Sequence, residues 1–178
     1  MDEIFNLCFR SIEYPDGTGF IYKRPNLDDP RLKEAYEKCR INNDSEASWE
    51  DFDKRYILEC YTLDGIFLGF EVMGYKPSLD AMLLTIYLHP SVSYRYIAPM
   101  GNSIGLILYQ VWLDLGRDSY RFYTDSASKY LINSLYDLYK DLTIVPIYKR
   151  YTVIYYEIFR EDMIDVLRSS GVKISQAI

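Results

Sequence analysis

The chain has few of the residues on which hydrolytic, redox and metal chemistry depend. It contains one histidine, His89, and three cysteines among 178 residues. Cys8, Cys39 and Cys60 lie far apart and form no CxxC pair, so neither a disulfide framework nor a zinc site is indicated. A metal site or mechanism that needs several imidazoles is excluded as well. We therefore expect no metal, and three buried thiols.

Long apolar runs and an excess of basic charge are also missing. No stretch approaches the roughly 18 uncharged apolar residues of a membrane helix, and the first residues are acidic where a signal peptide would be basic. The 20 Lys and Arg against 26 Asp and Glu give a net charge of −6, which argues against general binding to nucleic-acid phosphates. The sequence predicts a cytoplasmic protein that binds neither nucleic acid nor a membrane.

Ordinary globular composition accompanies an unusual number of tyrosines. The chain is 49% hydrophobic and 26% charged, and its length suits a single domain with a sizeable core. It has 19 tyrosines. A tyrosine ring suits half-buried strands and also surfaces that contact other proteins, because one end is apolar and the other polar. Tyrosine-rich sheet faces and a docking surface for a partner or a second copy therefore both remain open.

Strand and helix patterns follow one another in an α+β order. Alternating segments predict strands at 18–24, 56–62, 66–72, 81–89, 119–124, 143–148 and 151–159. Helical spacing predicts helices at 30–40, briefly from Ser48, at 101–116, at 125–140 and at 161–169. Asp64-Gly65 predicts a tight turn between the second and third strands, and Lys149-Arg150 joins the last two.

This order resembles the GNAT family of acyl-CoA-dependent N-acyltransferases, over roughly residues 18–160. The resemblance implies one domain with a central mixed sheet of about six to seven strands flanked by helices. A short N-terminal extension at 1–17 and a C-terminal helix at 160–178 would lie outside that pattern. In the family, two neighbouring parallel strands diverge at their carboxyl ends, and the gap receives the pantetheine arm of acetyl-CoA. Here 81–89 and 119–124 would be those strands.

The family's phosphate-binding loop would lie just before the helix at 101–116. In the family, a glutamine or arginine and spaced glycines present backbone amides to the pyrophosphate. Here the loop is several residues longer, its glycines are spaced G-x-x-x-G, and Pro99 removes one amide donor. The resemblance implies that Arg95 contacts the cofactor. It implies four amide contacts as well: Gly101, Asn102, Ser103 and Ile104. The alternative is a site that has lost acetyl-CoA.

Acylation of an amine needs a base for the ammonium proton and an acid for the departing thiolate. The resemblance implies the acid role for Tyr139, next to Tyr136, unless both tyrosines only complete an amphipathic helix face. Glu71 and Glu59 lie on the two strands of the central hairpin and are candidate bases by position. His89 ends the strand at 81–89 and is a further candidate, because an imidazole titrates near pH ~6.5. A structural role at the strand end is the alternative for His89.

Two hypotheses of different classes follow. In the first, the chain transfers an acetyl or acyl group directly from acetyl-CoA to an amine, without a metal. In the second, a GNAT-like fold serves as a binding or assembly module with an altered cofactor groove. Small tailed-phage proteins resemble GNATs with altered phosphate loops, and some are virion components, which would place the chain in a virion or a host cytoplasm. The exposed tyrosines would then cluster around the terminal hairpin, where Tyr148, Tyr151, Tyr155 and Tyr156 fall within nine residues. Only part of this set could form the contact surface, because Tyr156 takes the face opposite to Tyr151 and Tyr155.

Overall fold

A computed structural model describes residues 1–39, 47–124, 145–150 and 153–177. The helices are α1 (Asp2–Leu7), α2 (Pro30–Lys38), α3 (Ile97–Asp114) and α4 (Arg160–Ser170). The first strands are β1 (Arg10–Glu13), β2 (Gly19–Lys23), β3 (Ile57–Thr62), β4 (Phe67–Lys76) and β5 (Ala81–Leu88). The remaining strands are β6 (Ser119–Thr124), β7 (Val145–Arg150), β8 (Val153–Phe159) and β9 (Lys173–Gln176).

The nine strands form one mixed sheet in the order β7-β8-β6-β5-β4-β3-β2-β1-β9. β5 and β6 are parallel, whereas the other neighbours are antiparallel. The predicted adjacency of these two strands is therefore confirmed. They share one register pair, Met82 with Phe122, near the start of β5. Within the described residues the rest of β5 has no register partner in β6, as expected where two strands separate.

β4 contains a bulge beside β3, and one of its glycines approaches β5 closely. Opposite the bulge the register shifts between Cys60 and Tyr61 of β3, which leaves one extra residue in β4. Gly69 has a φ of +146°, and a Cβ there would lie 2.1 Å from the Tyr87 carbonyl oxygen. A side chain at this position is therefore excluded, because the β5 backbone occupies its space.

The two faces of the sheet bury different kinds of side chain. One face carries α1, α3 and α4 over a mainly aliphatic core, which includes Ile104 and Ile107. The other carries α2 over an aromatic cluster of Tyr36, Trp49, Phe52, Phe70 and Tyr87. The three cysteines are buried and unpaired, as predicted. The tyrosine rings in these two cores pack against other side chains. For these rings the structure favours the interpretation as sheet-face residues.

The α+β class with a mixed, GNAT-like sheet is confirmed, but the sheet has nine strands instead of six or seven. β1 lies inside the predicted extension at 1–17, and β9 lies inside the predicted helix at 160–178. Gly171, with a φ of +63°, ends α4 and turns the chain into β9, which pairs with β1. Each of these strands has only four residues, too few for a period to be recognised.

Local boundaries differ from the prediction at three places. α3 begins at Ile97 instead of 101, so Pro99 lies in its first turn, where its missing amide leaves no helical hydrogen bond unmade. Ser48 accepts from the Asp51 amide at 3.3 Å, but the turn does not continue into a helix. β7 runs through Arg150, so the predicted turn at 149–150 is wrong. The predicted helix at 125–140 lies outside the described residues.

Candidate functional site

The carboxyl end of β5 brings His89 against α2. The His89 amide donates to the Leu68 carbonyl at 2.9 Å, which extends the β4–β5 pairing by one residue. Its ring Nε2 lies 3.2 Å from Glu34 Oε2 on α2, and its Nδ1 lies 2.7 Å from Ser91 Oγ. The ring also meets Phe67 edge to face, with centroids 5.8 Å apart. Backbone, helix and aromatic contacts together fix the imidazole.

Glu34 decides which nitrogen of His89 carries the proton. The Lys38 ammonium donates to Glu34 at 2.8 Å, and this hydrogen bond, followed by the one from His89, lowers the pKa of the carboxyl. A carboxylate only accepts hydrogen bonds, so Nε2 of His89 must donate to it. In a neutral ring Nδ1 is then the free basic atom. The Ser91 hydroxyl donates to that atom.

A cavity of about 100 Å³ adjoins this histidine. The end of α2 contributes Lys38 and Cys39 to its wall, and the segment after β5 contributes His89, Val92 and Tyr94. Tyr94 is 51% exposed, whereas the His89 side chain is only 13% exposed. The basic ring is therefore shielded from bulk water but accessible from the cavity.

The segment before α3 forms a helical turn with no glycine. Ser93 begins the turn, since its side chain accepts from the Arg95 amide and its carbonyl accepts from the Tyr96 amide. This turn, Tyr94–Tyr96, leads directly into α3. Arg95 is exposed, and its guanidinium carbon lies 5.4 Å from the centroid of the Tyr96 ring. A cation and the positive end of a helix thus lie together on the surface, an arrangement that favours an anion.

The four residues predicted to donate amides to the cofactor lie deeper in α3. Ile104 and Ser103 are completely buried, and Asn102 is 6% exposed. Only the first four amides of a helix lack an intrahelical acceptor, and Gly101 is already the fifth residue of α3. The structure gives no support to phosphate contacts at Gly101, Asn102, Ser103 and Ile104, because their amides belong to the helical ladder.

Glu71 lies under α3 with no exposed surface. The Tyr22 hydroxyl is 3.1 Å from its Oε1, whereas Oε2 has no hydrogen-bond partner among the described residues. Burial raises the pKa of this carboxyl to about 8. Asn102 Oδ1 is likewise buried without a described partner. Glu71 lies on the face of the sheet that α3 covers, whereas His89 contacts α2 on the other face, so the structure does not bring the two residues together.

The remaining predicted residues separate into structural and undescribed ones. Glu59 is 3% exposed, and its two oxygens accept from the Asn26 amide at 2.7 Å and the Tyr61 hydroxyl at 2.8 Å. It therefore ties the segment before α2 to β3. Tyr139 and Tyr136 lie in 125–144, outside the described residues.

The terminal hairpin gives a partial view of the predicted tyrosine surface. β7 and β8 pair Tyr148 with Tyr155. Tyr156 is 5% exposed and stacks on Phe122, with centroids 5.3 Å apart. Tyr156 therefore belongs to the core, and Tyr151 lies outside the described residues.

Sequence reasoning missed Glu34 and Ser91. Glu34 forms an ordinary i,i+4 ion pair with Lys38, and nothing in the sequence connects it to a histidine 55 residues later. The His-x-Ser spacing after a strand was the only local signal, and it is a weak one. Across the described ranges, no group of three or more His, Cys, Asp or Glu side chains could hold a metal ion. None of the helices in the same ranges is long and apolar enough to cross a membrane.

No protein-family profile and no curated protein sequence matches this chain. Solved structures do. A GNAT-family acetyltransferase from Bacillus anthracis superposes with a TM-score of 0.59 at 10% identity, over 85% of this chain and 99% of that one. A protein from Bacillus halodurans gives 0.60 at 10% identity, over 90% and 94%. A nucleotide-linked sugar GNAT gives 0.52 at 10% identity, over 82% and 89%. At such low identity the likeness concerns the fold, and together with the separating pair of parallel strands it shows that this chain has the GNAT fold.

Proposed function

We propose that this chain transfers an acyl group from acyl-CoA directly to an amine. The observation that carries the proposal is the placement of His89, the only histidine of the chain, at the carboxyl end of β5. β5 pairs with β6 only near its start, at Met82, so His89 lies beyond the point where the two strands separate. Its ring lies beside a cavity with its Nε2 on Glu34. A base that a carboxylate orients is what the deprotonation of an ammonium requires.

The residues of this chain supply binding and proton transfer. Arg95 and the start of the helical turn before α3 would hold the phosphates, and the gap between β5 and β6 would hold the pantetheine arm. Bound acetyl-CoA supplies the activated acyl group. His89 takes the proton of the ammonium, directly or through a water, and Glu34 stabilises the imidazolium that results. Tyr139 remains our prediction for the acid that protonates the thiolate.

Acetyl-CoA binding tests the first half of the proposal. A ligand that binds only the folded state stabilises it by about 2.7 kcal/mol at a hundredfold excess over Kd, so the melting temperature should rise. Arg95→Ala should weaken this shift. Arg55→Ala is the matched control, since Arg55 is also exposed and packs over the tyrosine that follows it, Tyr56, at 5.7 Å. A melting curve that millimolar acetyl-CoA leaves unchanged contradicts the proposal and favours the assembly module.

A further inference from the structure

Three side chains at the end of β5 form a continuous chain of hydrogen bonds. Ser91 Oγ lies 2.7 Å from His89 Nδ1, and His89 Nε2 lies 3.2 Å from Glu34 Oε2. Both distances fall within the 2.6–3.2 Å or so that join a nucleophile to its base and the base to an orienting carboxylate. A hydroxyl, an imidazole and a carboxylate are therefore connected in the order of a nucleophilic site, with the two ring nitrogens exchanged relative to the serine hydrolase arrangement.

The protonation states determine which group donates and which accepts in these two hydrogen bonds. Since His89 Nε2–H donates to the Glu34 carboxylate, the lone pair of the neutral ring lies on Nδ1. The Ser91 hydroxyl donates to that lone pair, and the Ser91 amide approaches the same atom at 3.3 Å. The proton that His89 can accept first is therefore the hydroxyl proton of Ser91.

The surroundings hold this geometry and leave it accessible. The Val92 amide donates to the His89 carbonyl at 2.9 Å, so the segment forms a closed turn around Ser91. Ser91 is exposed, and both of its neighbours, Pro90 and Val92, line the cavity. A cavity of about 150 Å³ holds a benzene molecule, so about 100 Å³ has room for a short acyl chain.

We infer that Ser91 is a nucleophile that activated acyl esters and thioesters acylate. The inference uses the same base as the proposed function, but it does not require the CoA-binding groove. Ser91 Oγ forms a bond to the acyl carbon, and the bond from that carbon to the leaving oxygen or sulfur breaks. The hydroxyl proton passes through His89 Nδ1 to the leaving group. Water then attacks the acyl-serine, gives a proton to His89, and Ser91 recovers its hydroxyl as the free acid leaves.

A CoA-free ester, p-nitrophenyl acetate, is the probe. The expected result is a burst of nitrophenolate, together with the mass of one acetyl group on the peptide that contains Ser91. Ser91→Ala should abolish both signals. His89→Gln should slow the burst by about 10²- to 10⁴-fold, the usual contribution of a general base. Glu34→Gln should slow the burst less than His89→Gln does.

Ser93→Ala is the matched control, because Ser93 is exposed two residues further on and caps the next turn without contacting His89. Circular dichroism and melting curves establish that each variant is folded. If Ser91 only closes a turn, the acetyl group will appear on lysines alone, and the burst will be the same in Ser91→Ala and Ser93→Ala. That result overturns the inference even where acetyl-CoA binds. If Ser91 carries the acetyl group but acetyl-CoA does not raise the melting temperature, the inference holds and the proposed function is overturned instead.

Discussion

The Tyr22 hydroxyl reaches across β3 to Glu71, which lies two strands away, and contacts its Oε1 at 3.1 Å. The same hydroxyl lies 2.5 Å from Ser103 Oγ, and Ser103 donates to the Met100 carbonyl at 2.8 Å. The Tyr22 hydroxyl also lies 3.0 Å from the Met100 carbonyl oxygen, so it can donate either to that carbonyl or to Glu71. This hydroxyl therefore joins the centre of the sheet to α3.

The first prediction concerns the dependence of stability on pH. The folded state raises the pKa of Glu71 from its ordinary 4.5 to about 8 through burial, so between these values the folded protein binds a proton that the unfolded chain has lost. The Glu71 contribution to the free energy of unfolding should then fall by about 1.4 kcal/mol per pH unit and level off above pH ~8. Glu71→Gln should remove this slope and be the more stable protein at high pH. Urea unfolding at several pH values measures the slope. Glu50→Gln, which changes an exposed glutamate, is the control. Equal slopes in all three proteins would contradict the prediction.

The second prediction removes the centre of the hydrogen-bond chain. Tyr22→Phe leaves Glu71 and Ser103 without their shared partner in a completely buried place. The free energy of unfolding should drop by about 1–3 kcal/mol, the cost of an unsatisfied buried polar group. Tyr109→Phe is the matched control, because Tyr109 is also a completely buried tyrosine and makes none of the contacts that join Tyr22 to Glu71 and Ser103. Equal losses in the two variants would show that the hydrogen bonds of Tyr22 contribute nothing beyond packing.

The third prediction compares two glycines. Gly69→Ala places a Cβ against the Tyr87 carbonyl oxygen and should destabilise the protein by about 1–3 kcal/mol or more. Gly105 lies within α3, and among the described residues nothing lies within 4 Å of the place that a Cβ would take there, so Gly105→Ala should stabilise by about 0.5–1 kcal/mol. Thermal or urea unfolding of both variants tests the pair. A stabilised Gly69→Ala would refute the close approach of β4 and β5.

The fourth prediction separates chemistry from binding in the proposed acyl transfer. His89→Gln should lower kcat for an acceptor amine by about 10²- to 10⁴-fold, because it removes the base. The rise in melting temperature with acetyl-CoA should persist, since Arg95 and the helix start are unchanged. Steady-state rates with a panel of small amines, beside the same melting curves, provide the test. An unchanged kcat in His89→Gln would exclude this base.

Local signals in the sequence carried much of the fold. Asp64-Gly65 set the β3–β4 hairpin, since Gly65 takes a φ of +87° that other residues avoid. The strand, helix and strand of β5, α3 and β6 had clear periods and clear limits. β9 could not be predicted in the same way, because it gains its hydrogen bonds from β1 at the other end of the chain, and β1 has only four residues of its own.

The candidate site was less predictable than the fold. His89 was identified from its place at a strand end, which is local information. Its partner Glu34 approaches only because α2 packs on the sheet beside β4 and β5, and that packing is tertiary. Position on a central strand made Glu71 a candidate base, but α3 determines its burial, and no local pattern reports how closely a helix covers one residue.

β9 completes the sheet beside β1. This side of the sheet therefore stays incomplete for most of the time that a ribosome needs to make this chain. Arg10 is the register partner of Gln176, so β1 is among the first strands made and waits for the last described one. Until then its outer hydrogen-bonding groups are open to any other extended chain, which is the usual origin of aggregation at a sheet edge. The four residues of β9 therefore cover this edge only once synthesis has passed Gln176.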